Sequence, residues 1–302
     1  MIARETILGF VLISQVCVGI IGNSLLLVFY VYMYFIHSHL RKPIDVIFMH
    51  LTLVNILSIL FSLTPHIMVY FGVGSAISGV SCKAFLYINR LTRDLSICTT
   101  SLLSTFQAIT ISPRNAKWAW LKSRLSTSVF PSFFFFWILN MLIYIHLIDT
   151  GVSRTNVSMV GAGYFQAYCR SEVRNNPSHS FVSVLLIKDL LLVFLMICTS
   201  LYMVDVLRRH HRRAKRLHSP SLSAQLSPEN KATHSILVVV SIFVLFYSLN
   251  NVMTLYIFYA PRKNSKLYPI TVLFSSCYPM ICPFLLMKNS KIISHIYSSF
   301  LR

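Results

Sequence analysis

The sequence predicts an all-α membrane protein, a seven-transmembrane-helix bundle with its amino terminus outside and its carboxyl terminus in the cytoplasm. Three observations lead there: long apolar runs, a scarcity of charge, and an alternation of basic residues between the segments that join the runs. Of 302 residues, 55% are hydrophobic and only 12% charged, and the mean hydropathy is +0.66. Soluble domains carry roughly 25% charged residues, and a helix needs about 20 consecutive apolar residues to cross a bilayer core.

Taken in order, the expected spans are 7–36, 44–71, 82–112, 128–148, 181–207, 235–260 and 267–287, in a single domain over residues 1–302. The first contains no Asp, Glu, Lys or Arg. It is longer than the apolar core of a cleavable signal peptide, about 7–15 residues, and reads as a retained span. Residues 46–82, 125–148, 235–261 and 267–287 are equally free of those four residue types. Stretches 84–112 and 181–207 are charged only at a few inner points.

The net charge of +19 would suit a nucleic-acid partner, but its distribution says otherwise. Basic residues concentrate in 37–43, 113–127, 208–234 and the tail 288–302, the segments that follow spans one, three, five and seven. The positive-inside rule makes these cytoplasmic. An odd number of spans then places the amino terminus outside, as the rule independently requires. The basic run RRHHRRAKR leads into the Ser/Pro-rich stretch SPSLSAQLSPEN. It reads as a topology signal, a contact with anionic membrane lipid, and a surface for a cytoplasmic partner. Arg208, Arg209, Arg212 and Arg213 there, with Arg114 and Lys117 of the preceding inner loop, are the candidate partner-facing residues.

Of seven cysteines, Cys82 opens span three on the outer side and Cys169 lies in the outer loop 149–180. Both face the oxidising compartment, so a disulfide is expected. Closing a loop of roughly 90 residues would contribute ~4–5 kcal/mol in the chain-entropy model. Asn156-Val-Ser158, in the same loop, is the expected N-glycosylation acceptor.

The third span poses the functional question. Arg90, Arg93 and Asp94 sit in its middle, roughly 12–18 Å below Cys82 at 1.5 Å per residue. Each charge at mid-bilayer costs about 2.5–3.5 kcal/mol even on the lenient insertion scale. Positions 86, 90, 93, 94, 97 and 101 share one helical face, which must turn inward, and Arg90 and Asp94 are spaced to pair. Lys188 and Asp189 of span five lie at a similar depth, and their spacing predicts that one of the two looks inward. Three cations against two carboxylates leave one positive charge in surplus. Two readings follow: an ion-pair cluster tying spans three and five together, or one that also floors a ligand pocket opening outward. In the second, Arg90, Arg93, Asp94, Ile97, Lys188 and Asp189 are the binding candidates. Tyr87, Asn89, Tyr256, Tyr259 and Phe274 are expected to add walls, since small-molecule sites are mostly apolar with few placed polar groups.

The runs SLLSTFQAITISPRNAKW (101–118), HLTLVNILSIL (50–60), FVSVLLIKDLLLVFLM (181–196), ATHSILVVVSIFVLFYSL (232–249) and CYPMICPFLLM (277–287) resemble the vomeronasal type-1 receptors, a pheromone-receptor family of G-protein-coupled receptors. The resemblance covers nearly the whole chain. It implies a plasma-membrane chemosensory receptor that binds a small pheromone or odorant and activates a heterotrimeric G protein of Gi/Go type. The chain departs from the larger rhodopsin-like class: Asn55 stands for an Asp, Ile109-Thr110-Ile111 precedes Ser112-Pro113-Arg114 where an Asp/Glu-Arg-Tyr would lie, and Tyr278-Pro279 with Pro283 replaces Asn-Pro-x-x-Tyr. These departures are usual in the vomeronasal family.

A bitter-taste-like receptor is the alternative within receptors, set against by the cysteine pair and the Ser-Pro-Arg-Asn run. A small-solute transporter would also carry intramembrane charge, yet transporters commonly show repeated halves and none is visible. No His-Glu-x-x-His, Gly-x-Ser-x-Gly or phosphate-loop motif points to an enzyme. No cofactor or metal site is expected, and His210-His211 belongs to the basic run.

Overall fold

The computed structural model describes residues 2–36, 42–73, 79–112, 116–145, 151–153, 169–171, 177–217, 228–259 and 268–289. Its helices are α1 (Ile2–Ile36), α2 (Pro43–Tyr70), α3 (Gly79–Ile111), α4 (Ala116–Tyr144), α5 (Pro177–Leu217), α6 (Pro228–Tyr259) and α7 (Tyr268–Asn289). Between α4 and α5, strands β1 (Gly151–Ser153) and β2 (Cys169–Ser171) pair antiparallel, with Val152 opposite Arg170. Both strands lie within 149–180, the segment expected as the outer loop of an all-α bundle. The ribbon lies against α3.

Among the described residues, six helices contain stretches long and apolar enough to span a membrane, judged by length and composition. α3 is the exception. Besides Arg90, Arg93 and Asp94 it carries Ser96, Thr99, Thr100, Ser101, Ser104 and Thr105, a polar load that only a helix surrounded by others can carry. α3 accordingly packs against α2, α4, α5 and α6, while α1 closes the bundle against α2 and α7.

The outside of the bundle is apolar. Phe134 is 71% exposed, and Val28, Phe35, Phe194 and Leu201 are similarly bare. In water such a surface would aggregate; in lipid it is matched by the solvent. Inside, Leu26, Leu51, Ile97, Leu103, Met196, Val239 and Phe243 form the largest buried cluster.

The helices outrun the expected spans. Residues 116–127, expected as an inner loop, form the first turns of α4. Residues 208–217, expected as the start of a long basic loop, continue α5, and 228–234 begin α6. Lys, Arg, Ala and Leu are strong helix formers, so a basic segment leaving the membrane keeps its helical backbone where the preceding turns have already nucleated it.

Two local features show how ends and prolines are managed. After α2 the chain turns at Gly72, at φ +76°. Its N–H donates to Val69 at 3.1 Å and that of Val73 to Met68 at 2.8 Å, which is a Schellman closure needing a left-handed residue. In α7, Pro283 lacks an N–H and leaves the Pro279 carbonyl without its intrahelical donor. Asn23 of α1 supplies the missing donor from Nδ2 at 2.9 Å.

Candidate functional site

The charges at the centre of α3 meet those of α5 in a single network. Asp94, 3% exposed, is ion-paired with Lys188 and accepts a hydrogen bond from the Tyr144 hydroxyl at 2.6 Å. Lys188 Nζ also lies 3.7 Å from Asp189 Oδ1 and 3.5 Å from Asn140 Oδ1. Asp189 accepts from the Tyr247 hydroxyl at 2.6 Å. Both adjacent residues of α5 therefore join the network, correcting the expectation that only one would. They straddle the contact: Asp189 reaches toward α6, and the long Lys188 stem bends back toward α3 and α4.

Arg93 is bound differently. Its Nη2 donates to Asn251 Oδ1. Asn250, with its oxygen toward the guanidinium, accepts from Nη1 at 3.0 Å and donates to the Thr271 carbonyl at 3.2 Å. The Arg93 guanidinium carbon stands 5.0 Å from the Tyr247 ring centroid, within the range of a cation–π contact. All of these partners are formally neutral.

Arg93 also lies on the wall between two clefts. The first, toward α5, encloses about 540 Å³ of non-atom space, open solvent included, and is lined by Arg90, Asp94, Tyr144, Asp189, Asn251 and Thr254 among others. The second, between α2, α3, α6 and α7, encloses about 460 Å³ on the same measure. Asn89 and Ser96 of α3, Ser58 and Ser62 of α2, Phe246 of α6 and Phe274 of α7 help to line it.

The structure thus brings Arg90, Arg93, Asp94, Lys188 and Asp189 to one place. It separates Ile97 from them: that side chain is fully buried in the hydrophobic core and lines neither cleft. The shared helical face narrows below Asp94, where neighbouring helices close over it. Tyr87 turns toward α4, donating to the Met141 carbonyl at 3.3 Å. Tyr256 is largely exposed, and the Tyr259 side chain lies outside the described residues. The residues not singled out in the sequence are Asn140, Tyr144, Tyr247, Asn250 and Asn251. Amides inside charge-free spans were a usable signal, because a buried amide in lipid must find partners.

Elsewhere, Cys82 is fully buried and disulfide-bonded. The backbone of Cys169 opens β2, while its side chain lies outside the described residues. Asn156 and Arg114 also lie outside them, as do the side chains of Lys117 and Arg213. Arg208, Arg209 and Arg212 are exposed on the last turns of α5, with Arg209 2.8 Å from Asp205. Nearby, hydroxyls and amides tie α3 to its neighbours: Ser112 to Tyr202 at 2.8 Å and Gln107 to Thr233 at 2.7 Å.

The model of the vomeronasal organ pheromone receptor family matches residues 6–299. The human vomeronasal type-1 receptor 4 is 34% identical over 289 residues, covering 95% of each chain. The rat vomeronasal type-1 receptor 94 is 33% identical over 294 residues, covering 95% of this chain and 87% of its own. Among solved structures, squid rhodopsin superposes with a TM-score of 0.73 over 99% of this chain and 86% of its own, at 17% identity. The fold is therefore that of squid rhodopsin.

Proposed function

Because the chain belongs to the vomeronasal type-1 receptor family, we propose that it is a chemosensory receptor of the plasma membrane in which a small molecule entering from outside binds at the clefts flanking Arg93. The observation that carries this reading is the meeting of two clefts at a charged network deep in an apolar bundle. A purely structural ion pair between α3 and α5 requires neither the free space nor a further cation at Arg93. Arg90, Arg93, Asp94, Lys188 and Asp189 are the polar part of the site. The amino terminus faces outward and the carboxyl terminus inward, as the basic residues favour. Cys82 and Cys169 form the disulfide that ties the outer ribbon to α3, and Asn156 carries glycan.

The ligand acts by selecting between two arrangements of the bundle, and only its difference in affinity for them does work. Converting a 1:99 mixture to 99:1 requires about 5.5 kcal/mol of such difference. The inner ends of α3, α5 and α6, with Arg114, Lys117, Arg208, Arg209, Arg212 and Arg213, receive a heterotrimeric G protein of the Gi/Go type.

The test is ligand-stimulated GTPγS binding in membranes holding this chain and a Gi/Go-type protein, challenged with fractionated animal secretions, with Asp94→Asn in parallel. A response present in the native chain and absent in a surface-expressed Asp94→Asn variant supports the reading. An undiminished response in that variant moves the ligand site elsewhere.

A further inference from the structure

We propose that the last turns of α5 hold the phosphorylated headgroup of an inner-leaflet lipid, on the side of the helix that faces the bilayer. The inference goes beyond the receptor reading and takes from it only which end of the bundle is inner. It sets Arg208, Arg209 and Arg212 at the lipid-side edge of the end that receives the G protein. α5 runs unbroken from Pro177 to Leu217 with no proline after its first residue. Its helical phase therefore carries from the membrane into the basic run without a kink. Two rows of side chains mark its two sides. Leu190, Phe194, Cys198, Leu201 and Asp205, each three or four residues from the last, are exposed. On the other side Met196, Met203 and Val206 are buried, and Thr199 reaches Ser104 of α3 at 2.5 Å. The next steps of the exposed row fall on Arg208, Arg209 and Arg212, all exposed. The next steps of the buried row are positions 210, 214 and 217, which are His, Ala and Leu. By backbone register Lys215 and Arg216 also continue the exposed row, and Arg213 falls between the two. The positive-inside rule counts charges without regard to helical face. A basic run in phase with the lipid-facing stripe therefore asks for something on that side to bind.

Depth and charge identify the occupant. The apolar stretch of α5 runs Ser183–Arg209, so the arginines stand where the hydrocarbon ends. From Arg208 to Arg212 the helix rises about 6 Å, and one headgroup layer is about 5–8 Å thick. α4 marks the same level: its exposed Trp120 holds the Arg124 guanidinium 5.8 Å from its ring centroid, and Trp is enriched at membrane interfaces. Ser112 of α3 ties the two ends together, accepting from Lys122 of α4 at 3.4 Å and bonding Tyr202 of α5 at 2.8 Å. One carboxylate stands on the basic face: Asp205 lies 2.8 Å from Arg209. Arg208 and Arg212 have no carboxylate within 4.0 Å among the described residues. Guanidinium forks match phosphate oxygens in paired hydrogen bonds, and a phosphomonoester carries a charge of about −1.5 to −2. Three such forks within little more than one turn suit one polyvalent headgroup better than several monovalent ones, each of which would need its own place against the helix.

The probe is dioctanoyl phosphatidylinositol bisphosphate, titrated into the detergent-solubilised full chain and counted by native mass spectrometry. Dioctanoyl phosphatidylserine and phosphatidylcholine are titrated in parallel. The expected result is saturable binding of the bisphosphate, about tenfold tighter than the serine lipid or better. Arg212→Gln should weaken it about fivefold, and Arg208→Gln, Arg209→Gln and Arg212→Gln together on the order of a hundredfold. A further variant separates helical face from net charge. Adding His210→Arg, Ala214→Arg and Leu217→Arg to that triple restores the basic count on the continuation of the buried row, and binding should stay at the triple's level. Recovery there, unchanged affinity in the triple, or a serine lipid bound as tightly as the bisphosphate would each overturn the proposal. Inositol trisphosphate, the phosphates without the lipid, should compete about tenfold less well than the lipid or worse, and equal competition would remove the bilayer from the site and overturn it too. If the triple fails to fold, as its melting temperature shows, Arg212→Gln alone carries the test. None of these readouts involves ligand-driven GTPγS exchange, so failure of the receptor reading and failure of the lipid site are told apart.

Discussion

Asn23 of α1 donates from Nδ2 to the Pro279 carbonyl of α7 at 2.9 Å, the acceptor that Pro283 deprives of its own helix donor. The same nitrogen also donates to Gly19 at 2.8 Å, and Asn55 of α2 reaches Asn23 Oδ1 at 3.4 Å. Three helices are joined at a defect that one of them creates. Gly22, one residue before, keeps the approach close: a Cβ there would stand 3.0 Å from the Pro283 ring.

Asn23→Ala should lower stability by about 1–3 kcal/mol, because it leaves a buried carbonyl unpaired. Pro283→Ala restores an N–H to α7 and should recover a substantial part of that loss in the double variant. Thermal unfolding of the detergent-solubilised receptor measures both. Equal costs for Asn23→Ala with and without Pro283 would refute the relationship.

At the charged network, Lys188→Met strands the Asp94 carboxylate and should cost about 3–5 kcal/mol, seen as lost surface expression. Asp94→Asn with Lys188→Met removes both charges and should express better than Lys188→Met alone. A double variant no better than that single would mean the pair is not the unit that matters.

Tyr247 has two separable duties. Tyr247→Phe removes the 2.6 Å donor to Asp189 but keeps the ring beside Arg93, and should cost about 1.5–3 kcal/mol. Tyr247→Leu also removes the cation–π contact and should cost about 0.5–2 kcal/mol more. Melting temperatures of the pair, compared with Tyr144→Phe, measure the difference. Identical values for Phe and Leu would assign no role to the ring.

The proposed disulfide between Cys82 and Cys169 gives a pairing test. Cys82→Ser and Cys169→Ser should each lower stability by about 4–5 kcal/mol, and the double variant by no more than either single. Peptide mapping under non-reducing conditions should recover 82 linked to 169. Additive losses would show that the two are not partners.

The helices and their membrane setting were legible in the order of residues alone. Runs such as 235–261 have no other stable use than to lie in lipid, because their length and apolarity bear on them one residue at a time. Arg90, Arg93, Asp94, Lys188 and Asp189 stood out in the same way, because a charge at that depth is costly wherever its helix sits. Who meets whom was not legible and came from the packed bundle. Lys188 rather than a residue of its own helix is the ion-pair partner described at Asp94, Tyr144 and Tyr247 close the network, and Ile97 turns out to be core. Helical spacing gives a residue's angle around its own axis and nothing of the neighbour at that angle. That depends on the rotation and lateral offset of six other helices, set by packing distributed over the whole bundle.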